Sequence, residues 1–314
     1  MALDGGTVVG RVAEVWRFPV KSMLGERLDQ VQVSTAGVVG DRSWALVDAE
    51  DGKVVSAKNP RKWSRILELR ASFLEEPGAD GPAAPVRIEL PDGTVAASPD
   101  PGASDTISAF LGRDVRLRSV PPAVRTMEET WPDVEGLAPE AFIERTRIDT
   151  GVPDETVSDI AMAMAAPPGT FFDLSVLHLI TSSTLQELAR LQPDGAFDVR
   201  RYRPNVLVES EGVGFVENGW VGRRLGLGPA AEMQVALPTM RCIMTTLAIE
   251  DLPRDPSLLR TIATHNRLEI GGLGTWACAG VYGDAAEPGS VAVGDEVRVG
   301  DATAGPDGGR PDQT

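Results

Sequence analysis

The residue best suited to chemistry in this 314-residue chain is Cys242, which directly follows Arg241. A neighbouring guanidinium favours the thiolate, the form of cysteine that binds metals and attacks electrophiles. Thiolate is a soft ligand and suits soft or high-valent metals better than Mg²⁺ or Ca²⁺. The spacing alone favours a simpler interpretation, a buried cysteine at the start of a strand over 242–249. The second cysteine, Cys278, lies among small residues and is predicted to pack in the core.

Three short polar segments could hold an anion. The segment 17–22 (RFPVKS) ends a strand and places Lys21 and a hydroxyl in the following turn, a combination that suits a phosphate. The segment 40–42 (GDR) precedes a strand, and 203–205 (RPN) enters one. Each has a simpler interpretation as well: a solvated turn, a local Asp–Arg salt bridge, and a strand start with a solvated arginine. No single segment decides the function.

Composition excludes several classes of protein. The net charge of −16 gives a surface that repels nucleic acid and anionic membranes, so we predict neither as a partner. The hydrophobic content of 42% and charged content of 24% are typical of a globular protein. We find no apolar run near the ~18 residues of a membrane span and no secretion signal. With two cysteines, a cytoplasmic protein with reduced thiols is expected.

The common catalytic motifs do not occur. The sequence has no phosphate loop, no glycine-rich nucleotide fingerprint and no serine nucleophile elbow. Its two histidines, His178 and His265, are far apart and do not cluster with cysteine at zinc spacing. A serine or zinc hydrolase therefore has little support.

The elements that must position these residues are mostly strands. The 33 glycines and 24 prolines favour turns and short strands over long helices. We predict a β-rich block over 7–120 with strands such as 65–73, a connecting region over 121–170 with one short helix near 139–145, a second β-rich block over 171–300 and a disordered tail over 301–314. Ser183 and Gln186 have the spacing of a capping box for a helix. The predicted fold class is mostly β with short helices (α+β).

Taken in order, the motifs resemble one family. The segments 17–22, 40–42, 203–205, 241–246 and 280–282 occur in the order found in the MOSC superfamily, named for the C-terminal domain of molybdenum cofactor sulfurase. The resemblance covers roughly 8–300. It is strongest to the branch that contains the mitochondrial amidoxime-reducing component and its bacterial relatives. It implies an N-terminal MOSC-type β-barrel-like domain followed by a C-terminal MOSC β-barrel.

The resemblance also implies a ligand, the molybdenum cofactor (Mo-molybdopterin), a pterin with a dithiolene and a phosphate. By motif, Cys242 matches the family cysteine that ligates molybdenum and is the implied catalytic residue. The positions that match cofactor-binding residues are Lys21, Ser22, Arg42, Thr181, Ser182, Ser183, Arg203, Asn205, Arg241 and Tyr282. The implied activity is the two-electron reduction of N-hydroxylated small molecules such as amidoximes and hydroxylamines.

The chain departs from the family pattern near the cysteine and at its end. Thr239 stands where some relatives carry a second cysteine, which leaves Cys242 as the sole local thiol. The sequence ends at Thr314 without the iron–sulfur domain of some bacterial relatives, so the electrons are expected from a separate protein, a reductase, ferredoxin or cytochrome. Two alternatives remain open: a sulfur-transfer protein that carries a persulfide on Cys242, and a non-catalytic carrier of the cofactor.

Overall fold

The computed structural model describes residues 3, 6–123, 125–162 and 170–302. These residues form twenty strands, four α-helices and four 3₁₀ turns, which confirms the predicted fold class. The strands are β1 Thr7–Arg17, β2 Glu26–Leu28, β3 Gln30–Ser34, β4 Gly37–Val38, β5 Ala45–Asp48, β6 Arg70–Phe73, β7 Val86–Glu89, β8 Val95–Ala97, β9 Val115–Arg118, β10 Thr126–Thr130, β11 Arg147–Ile148, β12 Val157–Ala161, β13 Leu177–Thr181, β14 Val206–Ser210, β15 Arg223–Leu227, β16 Ala231–Met240, β17 Arg267–Ile270, β18 Gly274–Glu287, β19 Gly289–Ala292 and β20 Glu296–Ala302. The helices are α1 Ala103–Leu111, α2 Glu140–Thr146, α3 Ser182–Leu191 and α4 Ser257–His265, and the 3₁₀ turns are Ile66–Glu68, Val199–Arg201, Val216–Trp220 and Ile243–Thr246.

Seven strands close into a β-barrel in the order β13-β14-β1-β20-β15-β16-β18, and β18 pairs back to β13. The pairs are antiparallel except β13 and β14, which run parallel. Side chains that alternate along the strands fill the interior with valine and leucine, among them Val15, Val235 and Leu225. Closure pairs every strand on both sides and leaves no open sheet edge.

The first strand of the chain belongs to this barrel. β1 pairs with β14 and β20, and β3 pairs with β19, so the two predicted β-rich blocks share sheets. Strand pairing joins residues that are distant in sequence, and the alternation within β1 carries no information about its partners. The division of the chain at 120 and 171 stays a prediction.

A second core lies beside the barrel. The sheets β5-β9 and β6-β7-β8 pack with α1 around residues such as Ile88 and Ile107. Ile243 and Leu247, which follow Cys242, also pack in this core. Cys242 therefore lies where the barrel meets the second core.

The predicted strand over 242–249 is wrong, because the segment forms the 3₁₀ turn Ile243–Thr246. The hydroxyls of Thr245 and Thr246 donate to the carbonyls three residues earlier, at 2.8 and 2.7 Å. These bonds favour a tight turn over an extended chain. The predicted strand over 65–73 is correct only in its second half, since Ile66–Glu68 is also a 3₁₀ turn.

The connecting region is more ordered than the sequence indicates. Its predicted helix is present as α2, but the region also forms the three-stranded sheet β10-β12-β11. In β10 the buried positions are Met127 and Glu129, and a buried glutamate hides the apolar alternation that marks a strand. The last strand runs to Ala302, and the rest of the predicted disordered tail lies outside the described residues. Among the described helices, none has the length and apolar character to cross a bilayer.

Gly280 permits the contact that closes the barrel. Its φ is +85°, and a Cβ there would lie 2.7 Å from the Leu179 carbonyl oxygen and 2.8 Å from Nε2 of His178. We expect Gly280→Ala to lower the free energy of unfolding by about 3 kcal/mol, measured by urea denaturation, because backbone strain and a steric clash add.

Gly272→Ala is the matched control for that variant. Gly272 has a similar φ of +76°, but no atom lies within 4 Å of the position that a Cβ would take, so this variant reports strain alone. A smaller loss of about 1 kcal/mol is expected. Equal losses in the two variants would show that the β13–β18 contact does not depend on Gly280.

Candidate functional site

One end of the barrel gathers most of the predicted site residues around one cavity. Asn205, just before β14, accepts a backbone hydrogen bond at 2.8 Å from Trp16 near the end of β1, so the segments that follow β1 and precede β14 meet. The end of β16 lies beside β18 in the same sheet. The predicted residues that line this cavity are Lys21, Ser22, Arg42, Arg203, Asn205, Arg241, Cys242 and Tyr282. We call it the cationic cavity.

The charge of its lining opposes the charge of the protein. The only carboxylate among the described lining residues is Asp173, whereas the cations that line it are Lys21, Arg42, Lys58, Arg201, Arg203 and Arg241. The chain as a whole has a net charge of −16. A concave site lined by one sign of charge concentrates ligands of the opposite sign. The cavity therefore suits an anion.

Arg203 lines this cavity and has an unused donor. Its Nη1 donates to the Met23 carbonyl at 2.7 Å, and its guanidinium lies 4.1 Å from the centre of the Phe18 ring. Its Nη2 is buried without a hydrogen-bond partner. Burial, followed by repulsion from Arg42, lowers the pKa of Arg203 to about 9, which still leaves it cationic at neutral pH. A buried, charged and partly unpaired group is costly, and an anionic ligand would satisfy it.

Three further buried donors or acceptors without partners belong to residues that line this cavity. They are Nε of Arg241, Nε2 of His178 and the hydroxyl of Tyr202. Nine such side-chain atoms occur in the described residues, and four of them, with Arg203 included, belong to residues that line this one cavity. Buried polar atoms are rarely left unpaired, so this concentration indicates a polar ligand. Burial, followed by repulsion from Arg241, lowers the pKa of His178 and keeps its ring neutral.

Backbone strain is concentrated at the same place. Five described residues other than glycine have positive φ, and three of them line the cavity: Ser22 at 66°, Arg42 at 48° and Arg203 at 55°. Neighbouring hydrogen bonds hold two of these conformations. The Arg42 amide donates to the Phe18 carbonyl at 2.7 Å, and the Ser22 hydroxyl accepts from the Ala57 amide at 3.0 Å. Such strain persists where a structure positions side chains for a ligand.

Cys242 is half-buried at the end of β16, and its thiol is free. Burial raises the pKa of this thiol, and the nearby charges of Lys58 and Arg241 reduce that rise without reversing it. Arg241 thus favours the thiolate, as the sequence indicated, but its effect on the pKa is smaller than that of burial. A bound metal deprotonates a coordinating thiol, so metal binding would supply what the arginine does not. Cys278 is fully buried, as predicted.

A chain of ion pairs borders Cys242. Asp173 pairs with Lys21 and with Lys58, whose Nζ lies 3.2 Å from the carboxylate. Lys58 also lies 3.1 Å from Glu129. Burial acts to raise the pKa of Asp173, but the two lysines outweigh it and lower the pKa well below its usual range. The carboxylate therefore stays ionised and holds both lysines beside the thiol.

Sequence reasoning missed Lys58, Asp173 and His178. Lys58 lies in no motif and Asp173 follows two phenylalanines, so the sequence around them carries no signal for a site. His178 could have been found, because it is a lone histidine inside the apolar strand Leu177–Thr181. Asn205, which was predicted to bind the ligand, lines the cavity, and its amide accepts from His178 N at 3.1 Å and donates to Asp41 Oδ2 at 2.9 Å.

The structure places Thr181, Ser182 and Ser183 away from the cationic cavity. Thr181 is the N-cap of α3 and accepts from the Thr184 amide, so the predicted capping box at Ser183 is wrong. The hydroxyls of Thr181 and Thr184 donate to the buried carboxylate of Glu217 at 2.7 and 2.6 Å. The Glu217 carboxylate therefore lies at the start of α3. The Ser182 hydroxyl accepts from the Ser210 amide, and the Ser183 hydroxyl accepts from the Ser210 hydroxyl.

Glu217 is expected to matter for folding and not for ligand binding. Glu217→Ala leaves two buried hydroxyls without an acceptor, so we expect the free energy of unfolding to fall by about 2–4 kcal/mol in urea titrations. Glu217→Gln keeps one acceptor oxygen and should lose less. Loss of bound ligand from a fully stable Glu217→Ala protein would contradict this assignment.

A second cavity of about 170 Å³ adjoins the first and shares Cys242, Lys58 and Tyr282 with it. We call it the aromatic cavity. Its apolar lining is Met127, Trp131, Phe142, Ile160, Ala161, Leu174, Met240, Leu273 and Trp276. Cys242 thus faces a cationic space on one side and an apolar space on the other.

Two family models match the chain. The model described as MOSC N-terminal beta barrel domain matches 9–72, and the model described as MOSC domain matches 169–298. Together they span well over half of the sequence in the expected order. The chain belongs to the MOSC family. The N-terminal MOSC-type domain and the MOSC barrel expected from the motifs are thereby confirmed.

Curated MOSC relatives carry names that describe a reaction. The mitochondrial amidoxime reducing component 2 of Rattus norvegicus is 25% identical over 251 residues, which cover 76% of this chain and 67% of the relative. The mitochondrial amidoxime-reducing component 1 of Mus musculus is 22% identical over 314 residues, covering 92% and 82%. A solved structure, the YUAD protein from Bacillus subtilis, aligns over 92% of this chain and 94% of that one, with a TM-score of 0.41 and 12% identity.

The two MOSC matches cover more of the cationic cavity than of the aromatic cavity. Lys21, Arg42, Arg203 and Cys242 of the cationic cavity all lie inside the matched ranges. Much of the aromatic cavity comes instead from the unmatched stretch between 72 and 169. The cationic cavity is therefore built from family sequence, and the aromatic cavity in large part from sequence outside it.

Proposed function

We propose that the chain binds Mo-molybdopterin in the cationic cavity and reduces N-hydroxylated small molecules there, with Cys242 as the molybdenum ligand. The observation that carries the proposal is that four buried, unpartnered polar atoms belong to residues lining one strongly cationic cavity, which a half-buried thiol also lines. The family membership and the reaction in the relatives' names support the same proposal.

The residues present fit an anionic cofactor that carries its own metal. Arg42, Arg203 and Arg241 offer guanidinium groups, which match phosphate in charge and geometry. His178 and Tyr202 offer polar atoms that need partners. These cations do not bind metal ions, so a metal at Cys242 would arrive with an anionic ligand attached. When bound, the cofactor supplies two-electron redox chemistry, and the protein supplies orientation and electrostatics.

The proposed reaction consumes two electrons and two protons: R–NHOH + 2e⁻ + 2H⁺ gives R–NH₂ + H₂O, with cleavage of the N–O bond. The two cysteines of the chain are both free, and Cys278 is fully buried in the core. The electrons are therefore assigned to a separate donor protein, a reductase, ferredoxin or cytochrome. The ion-paired Lys58 holds its charge close to Cys242 and to the substrate side of the site.

A persulfide carrier has less support. Such a protein needs an accessible thiol of low pKa. Burial raises the pKa of the Cys242 thiol, and the surrounding cations do not overcome it. Cofactor ligation does not need a low pKa in advance, because the metal itself deprotonates the thiol.

The reaction is tested with protein from a host that makes the cofactor. Reduced viologen supplies electrons under anaerobic conditions, and an amidoxime is then added. The proposal predicts dye oxidation with one amidine formed for each two electrons consumed. A chain that is fully loaded with cofactor yet oxidises no dye, while a known molybdenum enzyme from the same host is active, would contradict the reductase and identify a carrier.

A further inference from the structure

We propose that the aromatic cavity is the substrate pocket, and that it takes a neutral N-hydroxylated compound with one compact apolar group the size of an aromatic ring. The reduction of this compound rests on the proposed function, but its binding in the aromatic cavity does not depend on that function. The position of the cavity supports it, since the cavity shares Cys242 with the cationic cavity and extends away from it. A substrate there would lie beside Cys242, and Lys58 and Arg241 are the cations that the two cavities share.

The walls of the cavity are made of aromatic faces. The ring of Phe142 lies 5.0 Å from that of Trp276 and 6.0 Å from that of Trp131, measured between centroids, and both pairs are edge-to-face. Both indole N–H groups are already used within the protein. Trp131 donates to the Ser158 hydroxyl and Trp276 to the Leu273 carbonyl, each at 2.8 Å. The walls therefore offer π surfaces and no free indole donor, which selects an apolar group.

The volume sets the size of that group. The cavity measures about 170 Å³. An apolar cavity of about 150 Å³ holds one benzene molecule. A single ring, or a branched alkyl group of similar size, would fill the space, whereas a methyl group would leave most of it empty.

The polar end of the cavity indicates a neutral head group. The charged lining residues are Lys58 and Arg241 against Glu129 and Asp173, which balance to zero. Lys58 lies 3.1 Å from Glu129 and 3.2 Å from Asp173, so these charges already neutralise one another. The cationic cavity has an excess of positive charge, and this one does not. A neutral group with both donors and acceptors, such as an amidoxime, suits such an end.

Many of the residues that line the aromatic cavity lie outside the two family models. Met127, Glu129, Trp131, Phe142 and Ile160 lie between 72 and 169, which neither family model matches. β10, α2 and β12 bring them to the cavity. The connecting region thus acts as the specificity element, placed against a site built from the matched segments.

The test compares two amidoximes that differ only in the apolar group, benzamidoxime and acetamidoxime. Binding is measured by calorimetry on the purified full-length chain, without reductant, so no turnover occurs. We expect benzamidoxime to bind at least about tenfold more tightly, since it buries a whole ring. Ala161 is an exposed residue of the cavity wall, and Ala161→Phe would fill the cavity from there. This variant should bind benzamidoxime at least about tenfold more weakly than wild type and acetamidoxime equally well. Ala161→Ser is the matched control and should bind like wild type.

A second pair of variants removes a wall instead of filling the space. Phe142→Ala should weaken benzamidoxime binding, whereas Phe110→Ala, an equally half-buried phenylalanine on α1 that does not line the cavity, should not. Equal affinity for the two amidoximes, or benzamidoxime binding that survives both Ala161→Phe and Phe142→Ala, would overturn the pocket assignment.

Failure of the pocket and failure of the proposed function are separable. Benzamidoxime binding that Ala161→Phe abolishes, in a chain that takes up no molybdenum, would support the pocket and reject the reaction. Amidoxime reduction that is equally fast for both compounds and unaffected by Ala161→Phe would support the reaction and reject the pocket.

Discussion

Cys242→Ser is expected to lower the molybdenum bound per folded chain by at least tenfold. Loss of a hydrogen-bonding partner of a metal ligand already costs about 10–100-fold in metal affinity, and loss of the ligand itself should cost no less. Serine offers a harder and far less acidic oxygen in place of a soft sulfur. Molybdenum is measured by mass spectrometry of the metal in protein that has passed size exclusion.

Cys278→Ser is the control for that variant. Cys278 is fully buried, and its sulfur donates to the Trp276 carbonyl at 3.3 Å, so the change affects the core and not the cavity. We expect a lower melting temperature and unchanged molybdenum in the folded fraction. Full molybdenum content and full reductase activity in Cys242→Ser would show that the thiol is not the ligand.

Arg203→Gln is expected to release the whole cofactor, pterin and molybdenum together. Removing one partner from a buried charged pair costs about 2–5 kcal/mol, so affinity should fall by at least about 30-fold. In the ligand-free chain the change should be close to neutral for folding. Burial and Arg42 lower the pKa of Arg203, which means that its cationic form is disfavoured in the folded state. The quantity to measure is the amount of pterin that stays bound to the protein after dialysis.

Arg201→Lys is the control for that variant and is expected to lower stability without loss of the cofactor. Arg201 lines the same cavity, but its guanidinium donates to the carbonyls of Ala196, Leu247 and Pro253 at 3.0, 2.7 and 2.6 Å. A lysine cannot reproduce this fork, so stability should fall while the folded protein keeps its pterin. If Arg203→Gln lost stability and kept the cofactor, the assignment of Arg203 to ligand binding would be wrong.

The sequence predicted the parts of the site that lie next to each other in short motifs. Lys21 and Arg203 were found in short motifs next to strands and through the resemblance of those motifs to the MOSC family, and both line the cationic cavity. The sequence could not place Lys58 or Asp173, because their role depends on long-range ion pairs that no local pattern encodes. Glu217 also escaped prediction, since nothing near α3 shows that a distant carboxylate caps its hydroxyls.

The sequence predicted the fold class correctly, but it did not predict which strands pair with one another. Alternation within β1 marks a strand, yet its partners β14 and β20 begin only at Val206 and Glu296. The connecting region was predicted as a linker because prolines punctuate it, and the buried Glu129 interrupts the apolar alternation that would mark β10 as a strand. That same glutamate pairs with Lys58 beside Cys242, so the residue that hid the strand is part of the site.

The most direct test of the central claim is the molybdenum and pterin content of the wild-type chain, purified from a host that makes the cofactor. We predict close to one molybdenum and one pterin per chain, and neither in protein from a host that lacks the cofactor. Absence of both from protein made alongside a fully loaded molybdenum enzyme would contradict the claim that the cationic cavity beside Cys242 binds this cofactor.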